Sequence, residues 1–365
     1  MFAPFMPGLR LCRFFYAEAV RPLLDEAYPG LAYAAARIGP GSEVLGFDTA
    51  RSVDHDWGPR LELFLSSGDA ERHGPGIAAL LTERLPKDVH GWPTNFEPPG
   101  ARVRVMTATT GPVAHRVLVT DVATWSVQQL GFDARREPDL LDWLATPTQR
   151  LAETVGGEVF HDGPGELTAL RARLRWYPDD VWRHLLAAQW TRIGEEEAFP
   201  GRAAEAGDEL GSRTVAARLA REVMRLCLLL ARRFPPYSKW LGSSFASLPE
   251  VDRIAAALRD AVATGDPRRR QDALCTAYEA AASWQNRLAL ADPVEATRRP
   301  YFDRPFPVIE AGRFAAALRA RISDPEVAGL PLAGGIDQFV DSTDALSDPH
   351  LTRALTAALL NRRRC

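Results

Sequence analysis

Residues 38–65 read IGPGSEVLGFDTARSVDHDWGPRLELFL, and their order sets the expectation for the whole chain. An apolar run over residues 31–38 predicts a strand, broken by Gly39-Pro40-Gly41. Ser42 follows, and after a gap of eleven residues comes Asp54-His55-Asp56. Residues 60–65 (RLELFL) then alternate apolar with polar, the pattern of a half-buried strand. If the acidic segment is extended, Asp54 and Asp56 share a face and aim two carboxylates at one point. Hard oxygen donors of this kind suit Mg²⁺ or Mn²⁺, with the remaining positions taken by water and phosphate. The glycine-serine turn offers backbone N–H groups and a hydroxyl to a phosphate, and glycine lets the backbone come close. Taken together, Gly41 and Ser42 are expected on the phosphates of a nucleoside triphosphate and Asp54 and Asp56 on its metal. His55 should point to the opposite face, as a structural residue.

Outward from this stretch, the first part of the chain mixes helix and strand signals. Residues 9–27 carry a helical spacing of apolar residues, stopped at Tyr28-Pro29-Gly30. Residues 101–107 (ARVRVMT) and 115–120 (HRVLVT) alternate like strands, and 76–85 reads as a short helix. Glycines at 156, 157, 163 and 165 mark a linker-like break. Beyond Glu166 strand signals fade, and residues 178–193, 213–233, 249–263 and 268–290 are long, Ala/Leu/Arg-rich and helical in period. The expected architecture is α+β: a mixed sheet with flanking helices over residues 1–165, then an all-α bundle over 166–365. The tryptophans on the later helices are expected in the core, and the final Arg362–Arg364 run at a solvated helix end.

Composition narrows the function classes. The formal net charge is −3, which argues against a generalised nucleic-acid surface. Charged residues interrupt every apolar run before membrane-spanning length, and Arg10 and Arg13 follow the apolar start too closely for a signal peptide. A soluble, cytoplasmic protein with no membrane partner is expected. The four cysteines are widely spaced, so neither a disulfide framework nor a zinc knuckle is. Only Lys87 and Lys239 are lysines among 44 basic residues. A lysine kept against that bias suggests a point charge, so Lys239 is a candidate triphosphate contact and Tyr237 a candidate against the base. Asp208 and Glu209, in a glycine-containing break, are candidates for an acceptor's general base.

The order of Gly41-Ser42, the eleven-residue gap and Asp54-x-Asp56 resembles the signature of the DNA-polymerase-beta-type nucleotidyltransferase superfamily. Within it, the chain resembles a little-characterised bacterial family of nucleotidyltransferase-like proteins, a domain of unknown function. The supporting stretches are GSEVLGFDTARSVDHDWGPR at 41–60, GWPTNF at 91–96, FPPYSKWLGSSF at 234–245, RPFPVIEAGRF at 304–314 and GIDQFVDSTD at 335–344. The resemblance implies a nucleotidyltransferase-type sheet followed by a helical bundle, a layout similar to kanamycin nucleotidyltransferase. It implies Mg-dependent transfer of a nucleoside monophosphate, AMP foremost, from ATP or another triphosphate to a hydroxyl or amine, with release of pyrophosphate. The acceptor would be a small molecule first, a protein or RNA otherwise. The superfamily supplies a third carboxylate from a later strand. Here HRVLVTD presents Leu118 at the expected place, and Asp121 is the nearest acid, with Glu62 on a neighbouring strand. A chain that lacks the third acid would bind a nucleotide, small molecule or partner without turnover.

Overall fold

The computed structural model describes residues 4–98, 100 and 103–361, so the Arg362–Arg364 run lies outside the described residues. The chain forms two compact units. One takes the residues up to Pro138 together with Arg150–Arg175, the other Asp139–Gln149 together with Trp176 onward.

The first unit is organised by a four-stranded mixed sheet. Its strands are β1 (Ala34–Arg37), β2 (Arg60–Leu65), β5 (Arg116–Asp121) and β6 (Glu158–Asp162), in the order β5-β2-β1-β6. The short pair β3 (Asp88–Val89) and β4 (Trp92–Pro93) stands apart from it. β1 runs antiparallel to both β2 and β6, whereas β2 and β5 are parallel. RLELFL forms the expected strand but is buried on both faces, with only Glu62 partly exposed. Leu61, Leu63 and Leu65 are buried in the core with Leu11, Phe15 and Leu81, while Glu62 faces the other way. Phe64 shares the Glu62 face and meets Trp125 edge-on at 5.7 Å.

The helix expected over residues 9–27 is present as Gly8–Phe14, a π-helical turn at Phe15–Val20, and Arg21–Ala27. The helix expected from Gly76 starts earlier, at Ser67, with Ser66 accepting from the Asp69 N–H as its cap. Pro75 lies inside it, where its ring removes the backbone donor to residue 71 and crowds that carbonyl. Two expectations are corrected. Residues 103–107 make one isolated bridge, Phe96 to Met106, and no strand. The glycine-flanked stretch taken as a linker encloses β6, an edge strand whose neighbouring glycines only shape its ends.

In the second unit the long periodic stretches form helices at Asp179–Glu196, Glu209–Leu230, Asp252–Ala263 and Pro267–Arg287. Trp182 and Trp190 are buried, as expected of core residues, whereas Trp176 and Trp284 are only partly buried. A small hairpin, β7 (Arg299–Tyr301) with β8 (Arg304–Val308), interrupts the helices. The fold is therefore α+β: a small mixed sheet with flanking helices and a helical C-terminal region. No helix among the described residues is long and apolar enough to cross a membrane.

Candidate functional site

Strand polarity gathers the candidates. β1 ends at Arg37 and β2 begins at Arg60, and the two are antiparallel neighbours. The turn after β1, with Gly41 and Ser42, and the segment before β2, with Asp54 and Asp56, therefore lie at the same end of the sheet. β5 runs parallel to β2, so Arg116 at its start lies at that same end.

The turn is built on buried charge. Arg37 donates through Nε to Glu43 Oε1 at 2.8 Å, through Nη1 to Glu62 Oε1 at 2.9 Å, and through Nη2 to the Pro40 carbonyl at 2.5 Å. Arg60 donates to the same Glu43 oxygen at 2.5 Å. Arg37 and Glu43 are each 2% exposed. Burial alone would favour the neutral acid, but Arg60 and Arg37 overcome it and hold the Glu43 carboxyl at about 2. Gly41 is required here for a reason the sequence conceals. A Cβ at this position would lie 2.5 Å from Arg37 Nη2 and 2.7 Å from both Glu43 carboxylate oxygens.

The acidic segment is not extended. Asp54 ends a 3-10 turn, Ala50–Asp54, and Asp56 has a φ of +46°. The reason is local. Thr49 caps the turn by accepting from the Arg51 N–H, and only His55 is extended before Asp56 turns to a positive φ. The Asp54 carboxylate contacts His55 Nδ1 at 2.8 Å, and Asp56 forms an ion pair with Arg116. Both aspartates are about half exposed. Among the described residues, no three His, Cys, Asp or Glu side chains cluster in a way that could hold a metal ion. The two carboxylates are oxygen donors of the kind Mg²⁺ takes together with phosphates and water, but the extended geometry expected to aim them at one point is absent.

The structure does not bring Asp121 to these residues. Asp121 pairs with Leu65 at the far end of β5, five residues beyond Arg116, or about 16 Å along the strand. There its carboxylate caps the helix Val122–Leu130, accepting from the Thr124 N–H at 3.0 Å and the Thr124 hydroxyl at 2.6 Å. Leu118 is 47% exposed and registers with Glu62, which Arg37 engages. In the second unit, Tyr237 precedes the helix Ser238–Ala246 and its N–H donates to Gln149 at 3.0 Å. Lys239 is exposed, with its ammonium 4.8 Å from the Trp240 ring centre. Of the two candidates for a general base, Asp208 caps its helix at the Gly211 N–H, and hydrogen bonds from Arg270 and Arg213 hold Glu209 at about 2.

Sequence reasoning missed Arg37, Glu43, Arg60 and Arg116. For Arg37 and Arg60 the available signal was a charge placed inside an apolar strand, in AAAR and RLELFL, where only pairing makes burial tolerable.

A family described as a domain of unknown function (DUF4037) matches residues 143–241. That segment includes the start of FPPYSKWLGSSF and excludes both the glycine turn and the acidic segment. No curated protein matches the chain. Among solved structures, the chain is similar to a nucleotidyltransferase-like protein from Exiguobacterium sibiricum, at 14% identity and a TM-score of 0.33 over 83% of this chain and 88% of that one. Neither comparison supports the likeness to kanamycin nucleotidyltransferase.

Proposed function

We propose that the chain is a nucleotidyltransferase that binds a nucleoside triphosphate, ATP foremost, with Mg²⁺ at the turn end of its sheet. The observation that supports this reading is that the turn of Gly41-Ser42 and the segment of Asp54 and Asp56 flank the same end of the antiparallel β1–β2 pair. Asp54 and Asp56 would hold the cation, which neutralises phosphate charge when bound. Gly41 and Ser42 would orient the triphosphate through backbone N–H groups and the hydroxyl, against a turn that the buried Arg37–Glu43 pair keeps rigid. In the transfer, an acceptor hydroxyl or amine attacks the α-phosphorus, the bond to the β-phosphate oxygen breaks, and pyrophosphate leaves with the displaced electron pair. The acceptor loses its proton to solvent. A small molecule is the leading acceptor, and a protein or RNA end would use the same chemistry.

A second reading, a binder without turnover, draws on one observation. Asp121, the nearest candidate for a third carboxylate, is engaged as a helix cap at the opposite end of β5. Thermal unfolding with millimolar Mg-ATP tests the shared premise. The wild type should melt higher with Mg-ATP than without it, and Asp54→Asn and Asp56→Asn should lose that shift. Both aspartates sit in exposed pairs worth at most about 1 kcal/mol, so the ligand-free melting temperature should barely move. A wild type indifferent to Mg-ATP would sink both readings. Pyrophosphate release in the presence of acceptor mixtures separates the enzyme from the binder.

A further inference from the structure

We propose that Arg104 and Arg116 form a triphosphate clamp, and that Asp56 holds Arg116 in reserve until a divalent cation takes that carboxylate. The inference rests on the nucleotide-site reading and deepens it by naming the cations that meet the anion.

Both guanidinium groups gather at one buried ring. Phe96 is 1% exposed, and the Arg116 and Arg104 guanidinium carbons lie 5.7 and 6.0 Å from its centre. The two cations are thus within about 12 Å of each other. The ring is pinned, because the Phe96 N–H donates to the Ala114 carbonyl at 3.0 Å and Phe96 bridges to Met106. A fixed aromatic face attracts a guanidinium and limits where it swings. The acidic turn is tied to the same place, since the Asp56 N–H donates to the Arg104 carbonyl at 3.1 Å.

The two arginines differ in how they are held. Arg104 donates through Nε to the Glu97 carbonyl at 2.8 Å and makes no ion pair among the described residues. Arg116 pairs with Asp56, with 22% and 45% of the two side chains exposed. A pair open to water to this extent is weak and opens readily. A guanidinium fork matches phosphate oxygens bidentately, which an ammonium does not.

These facts make the ion pair an exchange element. In the free protein the Arg116 charge opposes a bare divalent cation at Asp56. When cation and triphosphate arrive together, one ion pair becomes two, Asp56 with the cation and Arg116 with a phosphate oxygen. Cation and triphosphate should then each strengthen the binding of the other.

Titration with inorganic tripolyphosphate in EDTA tests the exchange without metal. Asp56→Asn frees Arg116 and should bind the anion severalfold more tightly than the wild type. The double variant Asp56→Asn with Arg116→Met should lose that gain. Asp54→Asn removes the same charge without freeing Arg116, and should gain less. Arg104→Gln, at a side chain with one backbone bond, should weaken the anion several-fold and serves if the Arg116 variant does not fold. A gain that survives in the double variant, or an equal gain in Asp54→Asn, would overturn the proposal. ATP and tripolyphosphate with Mg²⁺ then separate the sources of the shared triphosphate chemistry. If wild type ignores Mg-ATP yet the metal-free pattern holds, the nucleotide reading fails and the clamp stands for an inorganic anion.

Discussion

Arg37 Nε reaches Glu43 Oε1 over 2.8 Å with both side chains sealed from solvent, immediately behind the turn proposed to receive a triphosphate. The pair turns a flexible glycine-rich sequence into a fixed corner, since Arg37 also grips the Ile38 and Pro40 carbonyls. Removing one partner of such a pair leaves the other buried and uncompensated, which typically costs about 3–5 kcal/mol. Glu43→Gln should lower stability by that order in chemical denaturation at neutral pH.

The same carboxylate predicts an acid sensitivity. Its folded value of about 2 lies below the ordinary 4.5, so its contribution is present in full above about pH 4.5. That contribution, on the order of 3 kcal/mol, fades as pH falls through this window towards 2. Stability measured from pH 6 down to about 2 should therefore drop less steeply in Glu43→Gln than in wild type. Parallel pH profiles would contradict the assignment.

Gly41→Ala probes the corner sterically. Its Cβ would lie within 2.7 Å of Arg37 Nη2 and of both Glu43 oxygens, and neither side chain can yield without breaking a buried ion pair. A loss of about 1–3 kcal/mol is expected, as for overpacking elsewhere. Gly46→Ala is the control for turn flexibility, because nothing lies within 4 Å of a Cβ there, although its φ of +73° adds strain of its own. Gly41 is not among the positive-φ glycines, so a Gly41→Ala protein as stable as the wild type would mean that the ion pair does not set the need for glycine at 41.

Periodicity made part of this legible and charge pairing hid the rest. RLELFL announced β2 to the residue, and the four long helices of the second unit followed from their apolar spacing. β6 escaped because none of its five residues is buried, so it carries no alternation between glycines. The short helix Leu140–Ala145 is too brief to display a period, and its place in the second unit depends on contacts far along the chain, such as Arg353 with Asp142. At the site, spacing brought Gly41, Ser42, Asp54 and Asp56 to one end of the sheet, but it assumed an extended acidic segment where a 3-10 turn stands. Arg116 read as one more outward residue of an alternating strand. Nothing in a linear sequence pairs it with an aspartate sixty residues earlier.

Glu209 offers a check on the second unit. Arg270 is fully buried at its side chain and points two nitrogens at the Glu209 carboxylate, while also bonding Ser212 Oγ and the Thr264 carbonyl. Glu209→Gln should lower the melting temperature at neutral pH by leaving that guanidinium short of its counter-charge. The effect should vanish at very low pH, where wild-type Glu209 also loses its charge as pH falls towards about 2. A rate defect without a change in melting temperature would favour it as a general base.

Asp121 discriminates between a third metal ligand and a helix cap. Partial burial opposes its ionisation, yet the Thr124 hydroxyl and N–H hold its carboxyl below the usual range, as expected of a capping carboxylate. Asp121→Ala removes the acceptor for the helix Val122–Leu130 and should cost about 1 kcal/mol, while Asp121→Asn retains a capping oxygen and should cost only a few tenths. β5 carries Asp121 away from the Asp56–Arg116 pair by about 16 Å of strand, so neither substitution should alter the rise in melting temperature with Mg-ATP. Thermal melts of both variants, each with and without Mg-ATP, give the two quantities in one experiment. An Asp121→Asn protein with wild-type stability but no response to Mg-ATP would assign the carboxylate to the nucleotide site and overturn the capping account.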